Sequence, residues 1–428
     1  HDGTPFNAEA MVKTFERAIA PETASPIAGS LLGEVEKFEI IDDYTFSITL
    51  KVPNADFEEN LTDAGRLLPL SPTALEKFGD DIGRNPVSTG PFMFKEWISA
   101  SYITLVRNHD YNWGPSFVHQ GPVYLDEVVY NIITEPATAQ AAFENGELES
   151  LSLAPADIQW MMDTGEYQFL TYDRKGVGLF MEFNVLKPPF DDIKVREAFN
   201  YAVNKQSVVD IALEGFGKVA YGPLPPTIRG YWDGIESYAP GYDPEKAASL
   251  LDEAGWTLNE SSGIREKDGQ PFVFTIYTAP IDTWTASLQL IQADLASLGI
   301  TMEIQSFEFG TLLEKLMAGE HSVDVMGYTY LTPGIFDLWF HSKNIGTGLA
   351  HSHFNSPEFD KMIEDSLVMT DWNERQALLI EMQKFVIDNY LWVPIYNNTY
   401  YEALQPWVKD TTMHPDAYLI LNDTYLEK

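Results

Sequence analysis

The stretch Asn184–Lys205, NVLKPPFDDIKVREAFNYAVNK, constrains the fold more than any other part of the chain. A run of apolar character, Val177–Asn184, delivers a strand into it. Pro188 and Pro189 then bar helix, because each ring fixes φ and lacks an N–H. Asp191 or Asp192 can cap the helix that follows, which is expected to run to about Asn204. Val195, Ala198, Phe199, Ala202 and Val203 fall on one stripe and predict an inward face. Lys194, Arg196, Asn200 and Lys205 are expected mostly outside. The stretch is a strand, a rigid turn and a docked helix, so it asks for a layered α/β structure.

The remaining chain repeats that alternation. Before it, Asn7 is a candidate cap for a helix with Ala10, Met11, Thr14, Phe15 and Ala18 inward. Glu34–Val52 reads as a hairpin turning at Asp42-Asp43. Gly90-Pro91 makes a turn into a strand with Phe92 and Phe94 alternating. Leu125–Glu149 combines a strand (Val128, Tyr130, Ile132), a helix over Ala137–Asn145 stopped by Gly146, and a return to strand, which argues for a mainly parallel sheet. Tyr242–Gly255, YDPEKAASLLDEAG, carries full helix grammar: Asp243 caps, Pro244 sits at the first turn, Ala247, Leu250, Leu251 and Ala254 face inward, and Gly255 ends it. Strands are expected at Phe272–Tyr277, Gly299–Ile304 and Val323–Tyr330. Helices are expected at Thr285–Leu298, Thr311–Met317 and Trp372–Asn389.

Composition narrows the function. Sixty-four acidic residues against 27 basic ones give a net charge of −37. Such a surface repels nucleic acid and anionic lipid, which excludes both as partners. It is a solvated acidic surface, and it also fits a high-salt habitat, where a Debye length of about 3 Å at 1 M quenches self-repulsion. With no cysteine, disulfides, thiolate metal sites and cysteine nucleophiles are out. No run of apolar residues is long enough to span a membrane, and no signal-peptide pattern opens the chain at His1. No H-E-x-x-H, G-x-S-x-G, S-x-x-K or phosphate-loop motif occurs. His351-Ser352-His353 is the one close histidine pair; neutral imidazoles can ligate nickel, but the expectation is a polar loop with no metal.

Six segments in order resemble one family. HDGTPF with its helix, the DDYT hairpin, STGPF, the RNHDYNW element, Asn184–Lys205 and YDPEKAASLLDEAG are similar to the signatures of family 5 solute-binding proteins, the oligopeptide- and dipeptide-type receptors of ABC importers. The resemblance covers essentially the whole chain. It implies an α/β, two-lobed periplasmic-binding-protein type II fold with an extra small domain. The expected division is 1–84 for the remainder of the small domain, 85–183 for lobe one (completed by 404–428), and 184–403 for lobe two. Asn184 and Tyr396 are expected at the hinge. Typical members carry further residues upstream, so the resemblance implies truncation at the N-terminus.

By the same resemblance the chain is a non-enzymatic extracytoplasmic receptor, periplasmic or at the cell surface and open to lipid anchoring. It would capture a peptide or similar small solute by hinge closure and deliver it to permease and ATPase subunits, with no cofactor. The cleft candidates lie in Gly327–His341, namely Tyr328, Thr329, Tyr330, Thr332, Phe336, Asp337 and Trp339, an aromatic set with a few fixed polar groups. Here the family pattern breaks. Leu331 stands where peptide binders carry the aspartate that pairs with the α-ammonium, so either Asp337 replaces it or the ligand lacks that amine. Tyr328 suits sugar faces as well as peptides, which keeps an oligosaccharide binder in view. A secreted carbohydrate-active enzyme and a chemotaxis receptor are the alternatives from other classes.

Overall fold

A computed structural model describes residues 1–23, 28–62, 65–414 and 418–428. Residues 415–417, within the stretch 404–428 expected to complete lobe one, lie outside the described residues. The fold is mixed α/β with several separate sheets. Its chain divides into two compact units, His1–Tyr172 with Tyr400–Lys428, and Asp173–Thr399.

The first unit is antiparallel. Strands Val35–Asp42 and Thr45–Leu50 form the predicted hairpin, and helix Ala8–Ile19 covers it. Phe15 packs against Phe38 and Phe46 with ring centroids 6.1 Å apart in each case. Phe92–Ile98, Tyr102–Arg107 and Glu127–Asn131 form a second antiparallel sheet. The parallel pairing expected around Leu125–Glu149 does not occur. Ser150–Ser152 instead pairs antiparallel with residues 402–404. A strand–helix–strand pattern predicts a crossover only if both strands join one sheet, and here they join different ones. A cavity of about 870 Å³ in this unit is lined by Val128, Tyr130, Ser150 and Glu402 among others, and holds none of the predicted ligand residues.

The second unit carries the parallel crossover. Val273–Thr278 runs parallel to Thr301–Ser306 on one side and to Val323–Tyr328 on the other. Helix Asp282–Ser297 makes the connection between the first two. Val177–Phe183 then joins antiparallel to Val323–Tyr328, and Trp392–Leu404 antiparallel to Val177–Phe183. All seven residues of Val177–Phe183 are buried. A strand covered on both faces is a continuous apolar run rather than an alternating one.

Asp192 is the cap of helix Ile193–Ala202, its Oδ1 accepting the Lys194 N–H at 2.9 Å. The helix stops at Ala202, and a new one, Lys205–Ala212, starts under an Asn204 cap. The inward stripe is as expected, but the outward set is not. Lys194 is exposed, whereas Arg196, Asn200 and Lys205 are buried. Helix Pro244–Glu253 packs on one side of this helix, and Arg196 fills another, donating to the carbonyls of Phe190 at 2.8 Å and Asn389 at 3.0 Å. A guanidinium with five donors can be buried wherever backbone carbonyls lack partners.

Candidate functional site

Strand Val323–Tyr328 ends in the segment that sequence singled out, and it separates the candidates. Trp339 and Phe336 are fully buried; Phe336 packs on Phe340 and Phe359. Tyr330 is buried and its hydroxyl donates to the Pro223 carbonyl. Thr332 is buried and its Oγ1 accepts the Gly334 N–H at 3.2 Å, stabilising its own turn. These four are core and architecture in the second unit. Asp337 pairs with Lys343 at 2.6 Å. Tyr328 and Thr329 stay half-exposed.

Those two residues sit beside the point where the chain enters the second unit. Arg174 donates through Nε to the Thr329 hydroxyl, and its carbonyl accepts from Thr227 Oγ1 at 3.1 Å. Its backbone N–H reaches the Asn398 carbonyl at 2.8 Å. Tyr328 packs against Trp339 at 4.9 Å between ring centroids. Glycines permit this close approach. Gly176 has φ +96° and a Cβ there would lie 2.0 Å from the Tyr328 carbonyl. A Cβ on Gly327 would lie 2.1 Å from the Gly178 carbonyl. Only glycine fits two strands this near. The register shift between Met326 and Tyr328 turns the strand end at the same place, as a bulge does where a side chain must be re-aimed. Arg174 was missed by sequence reasoning; its neighbours in sequence, Asp173 and Lys175, give it no local signature.

Neither predicted hinge residue lies at a crossover between units, which fall at Tyr172/Asp173 and Thr399/Tyr400. Asn184 is buried inside the second unit and its Nδ2 donates to the His321 carbonyl at 3.2 Å. Tyr396 is buried in the sheet opposite Leu179 and Val219, and burial pushes its hydroxyl up to about 12. Both side chains tie one unit to itself.

His351-Ser352-His353 lies outside helix and strand, but it is largely buried rather than solvent-facing. His351 and Ser352 are buried, and a third histidine, His321, lies 6.5 Å from His351 and 6.1 Å from His353 between ring centroids. Sequence placed no histidine near the pair because thirty residues separate them. Beneath them two carboxylates face each other: Glu182 and Asp324 are register partners across the antiparallel pair, both fully buried. Burial raises Glu182 to about 8, opposed by hydrogen bonds from Trp339 and Ser352 among others. Burial, then the neighbouring Glu182, raises Asp324 as well. Desolvation takes His321 and His351 each down to about 3.

With this geometry in place, the comparisons define the class of protein. The family model described as bacterial extracellular solute-binding proteins, family 5, middle, matches residues 1–347. The chain belongs to that family. It is 27% identical to the oligopeptide-binding protein AppA of Bacillus subtilis over 431 residues, covering 98% of this chain and 78% of AppA. It is 29% identical to heme-binding protein A of Haemophilus influenzae, covering 96% and 76%. The solved structure of Bacillus subtilis AppA with a nonapeptide superposes with a TM-score of 0.79 at 26% identity, over 100% of this chain and 85% of that one. NikA of Brucella suis with Fe(III)-EDTA shares the fold at a TM-score of 0.85 and 22% identity, covering 100% and 86%. No helix among the described residues is long and apolar enough to cross a membrane.

Proposed function

We propose that this chain is the extracytoplasmic receptor of an ABC importer and that it holds a peptide-like ligand by a carboxylate rather than by an α-ammonium. Family membership supports the receptor, its cognate permease and ATPase subunits, and the absence of catalysis, since the family consists of non-catalytic binding proteins. The peptide-like class follows the ligands named for relatives, an oligopeptide for AppA and glutathione for the protein GsiB. The oligosaccharide reading stood on Tyr328 alone, and no further observation favours it.

The choice of anchor rests on one observation, the fate of the acids and cations around Tyr328. By the family resemblance, Leu331 stands where peptide binders carry the ammonium-pairing aspartate, and Asp337 is already paired with Lys343. A buried ammonium without a partner costs several kcal/mol, on the order of a broken buried ion pair. Arg174 donates through Nε to the Thr329 hydroxyl next to Tyr328, and a guanidinium, with five N–H donors, can add a ligand carboxylate to its existing partners in a two-bond fork. On this reading the fold is the two-lobed type II arrangement with an extra small domain, and capture is closure about the crossovers near Asp173 and Thr399.

Calorimetry with a short-peptide library in free, N-acetylated and C-amidated forms tests the anchor. Acetylation is expected to leave affinity within about threefold, and amidation to weaken it at least tenfold, about 1.4 kcal/mol. Arg174→Ala should reproduce the loss on amidation and add nothing to it. Loss on acetylation alone would overturn the anchor and leave the receptor standing; no heat with any peptide would overturn the peptide-like class.

A further inference from the structure

Glu182, Asp324 and His351 form a cluster that ligand capture at Tyr328 does not use. The two carboxylates stand directly opposite on adjacent strands, an arrangement that is repulsive even at a surface. Here both are fully buried, as is His351. One donor atom from each of the three lies within 4.8 Å of the others. Glu182 is partly satisfied: Oε1 accepts the Ser352 N–H at 3.0 Å and Oε2 the Trp339 indole N–H at 2.9 Å. Asp324 is not. Both of its carboxylate oxygens, and both ring nitrogens of His351, take no hydrogen bond. Buried polar atoms are almost always paired, so an unpaired carboxylate beside an unpaired imidazole, with one donor atom of each within reach of Glu182, needs an explanation.

We propose that Glu182, Asp324 and His351 bind a divalent transition-metal ion of the zinc type in the core of the second unit. Two carboxylates and a neutral imidazole around a divalent cation sum to zero charge, which removes the repulsion across the strands. Donors about 2.1 Å from zinc are spaced roughly 3.4 Å apart in a tetrahedron, so atoms now within 4.8 Å of one another need close by at most about 1.4 Å. The donor set and the setting select the ion class. Calcium takes six to eight oxygens and magnesium keeps several waters, whereas imidazole with carboxylates suits zinc and its neighbours. An aromatic ring lies against the cluster: Trp339 meets His351 edge-on with 5.8 Å between ring centroids, and its indole N–H reaches Glu182.

The surroundings hold the donors as outer contacts hold metal ligands. Trp339 fixes Glu182 through its indole N–H. His321 Nε2 lies 3.0 Å from the His351 backbone carbonyl and 3.5 Å from Asp324 Oδ1, which makes His321 a positioning residue for both. Asn184, through the carbonyl of His321, fastens that loop to the end of strand Val177–Phe183.

The test uses the full chain, refolded from denaturant first with chelator and then with equimolar zinc, and passed over a chelating resin to strip surface metal. Wild type is expected to retain roughly one zinc per chain, and His351→Leu at least tenfold less. Retention below about a tenth of an equivalent by wild type overturns the site. So does equal retention by a His351→Leu variant whose circular dichroism is native. Should that variant not fold, cobalt-loaded wild type decides: strong visible bands of four-coordinate cobalt support the site. The weak spectrum of six-coordinate surface cobalt means adventitious binding and rejects it.

Discussion

Lys205 shows what a single buried cation does to this protein. It opens helix Lys205–Ala212, where the positive end of the helix dipole is also unfavourable to it. Burial takes its ammonium from an ordinary 10.5 down to about 8. A base depressed by folding costs stability at every pH below about 8, where the folded and unfolded chains both carry the proton. That cost lifts as pH rises from about 8 toward 10.5, because there the unfolded chain binds more protons than the folded one. Lys205→Met is therefore expected to stabilise at pH 7 by on the order of 3 kcal/mol. By pH 10 the gain should have largely gone; urea midpoints showing the same gain at both pH values would contradict the assignment. Arg196 and Asn200 belong with Lys205 as polar residues that a helical wheel assigns to solvent. The stripe of Val195, Ala198 and Phe199 was legible because apolar periodicity is a local property. The burial of Arg196 depends on carbonyls at Phe190 and Asn389, and Asn389 lies at the far end of another helix.

Among elements, helix Pro244–Glu253 was the most legible. Asp243 Oδ1 accepts the Lys246 N–H at 2.9 Å, and Ala247, Leu250 and Leu251 are buried as their spacing requires. Asp243→Ala should cost about 1 kcal/mol through the lost cap, read as a lower urea midpoint with an unchanged slope. Strand ends were less legible than helix starts. A cap announces itself within four residues, while the turning of Val323–Tyr328 depends on glycines at 176, 178 and 327 that meet only after the sheet is assembled. The candidate site divides for the same reason. Tyr328 and Thr329 keep some exposure, but Trp339, Phe336 and Tyr330 were drawn into the core by partners far away in sequence. The pairing of Glu182 with Asp324 required the strand register, which no spacing in the chain encodes. Asp337 and Lys343 are only six residues apart, yet lysines and acids at that distance are too common to read as a pair.

For the molecule as a whole, charge is the dominant variable. The pairs that do form, such as Lys95–Glu127 and Lys194–Glu253, lie at the surface, where each contributes about 0–1 kcal/mol. Each pair cancels one charge of either sign, so the whole net −37 remains uncompensated. Self-repulsion of that size destabilises the compact state unless counterions screen it. The melting temperature is expected to rise between low salt and molar potassium chloride, and an unchanged melting temperature would remove the high-salt interpretation. The second unit is also attached in a particular way. The chain enters it at Asp173 and leaves at Thr399, and there the Thr399 hydroxyl donates to Asp173 Oδ1 at 2.8 Å. Entry and exit are neighbours within the second unit, so its two ends are tied to each other by its own side chains. That spacing is set at the two ends and not by the length of chain between them. Its loops can therefore be lengthened, shortened or exchanged for those of a relative without moving the two ends that the rest of the protein must keep together.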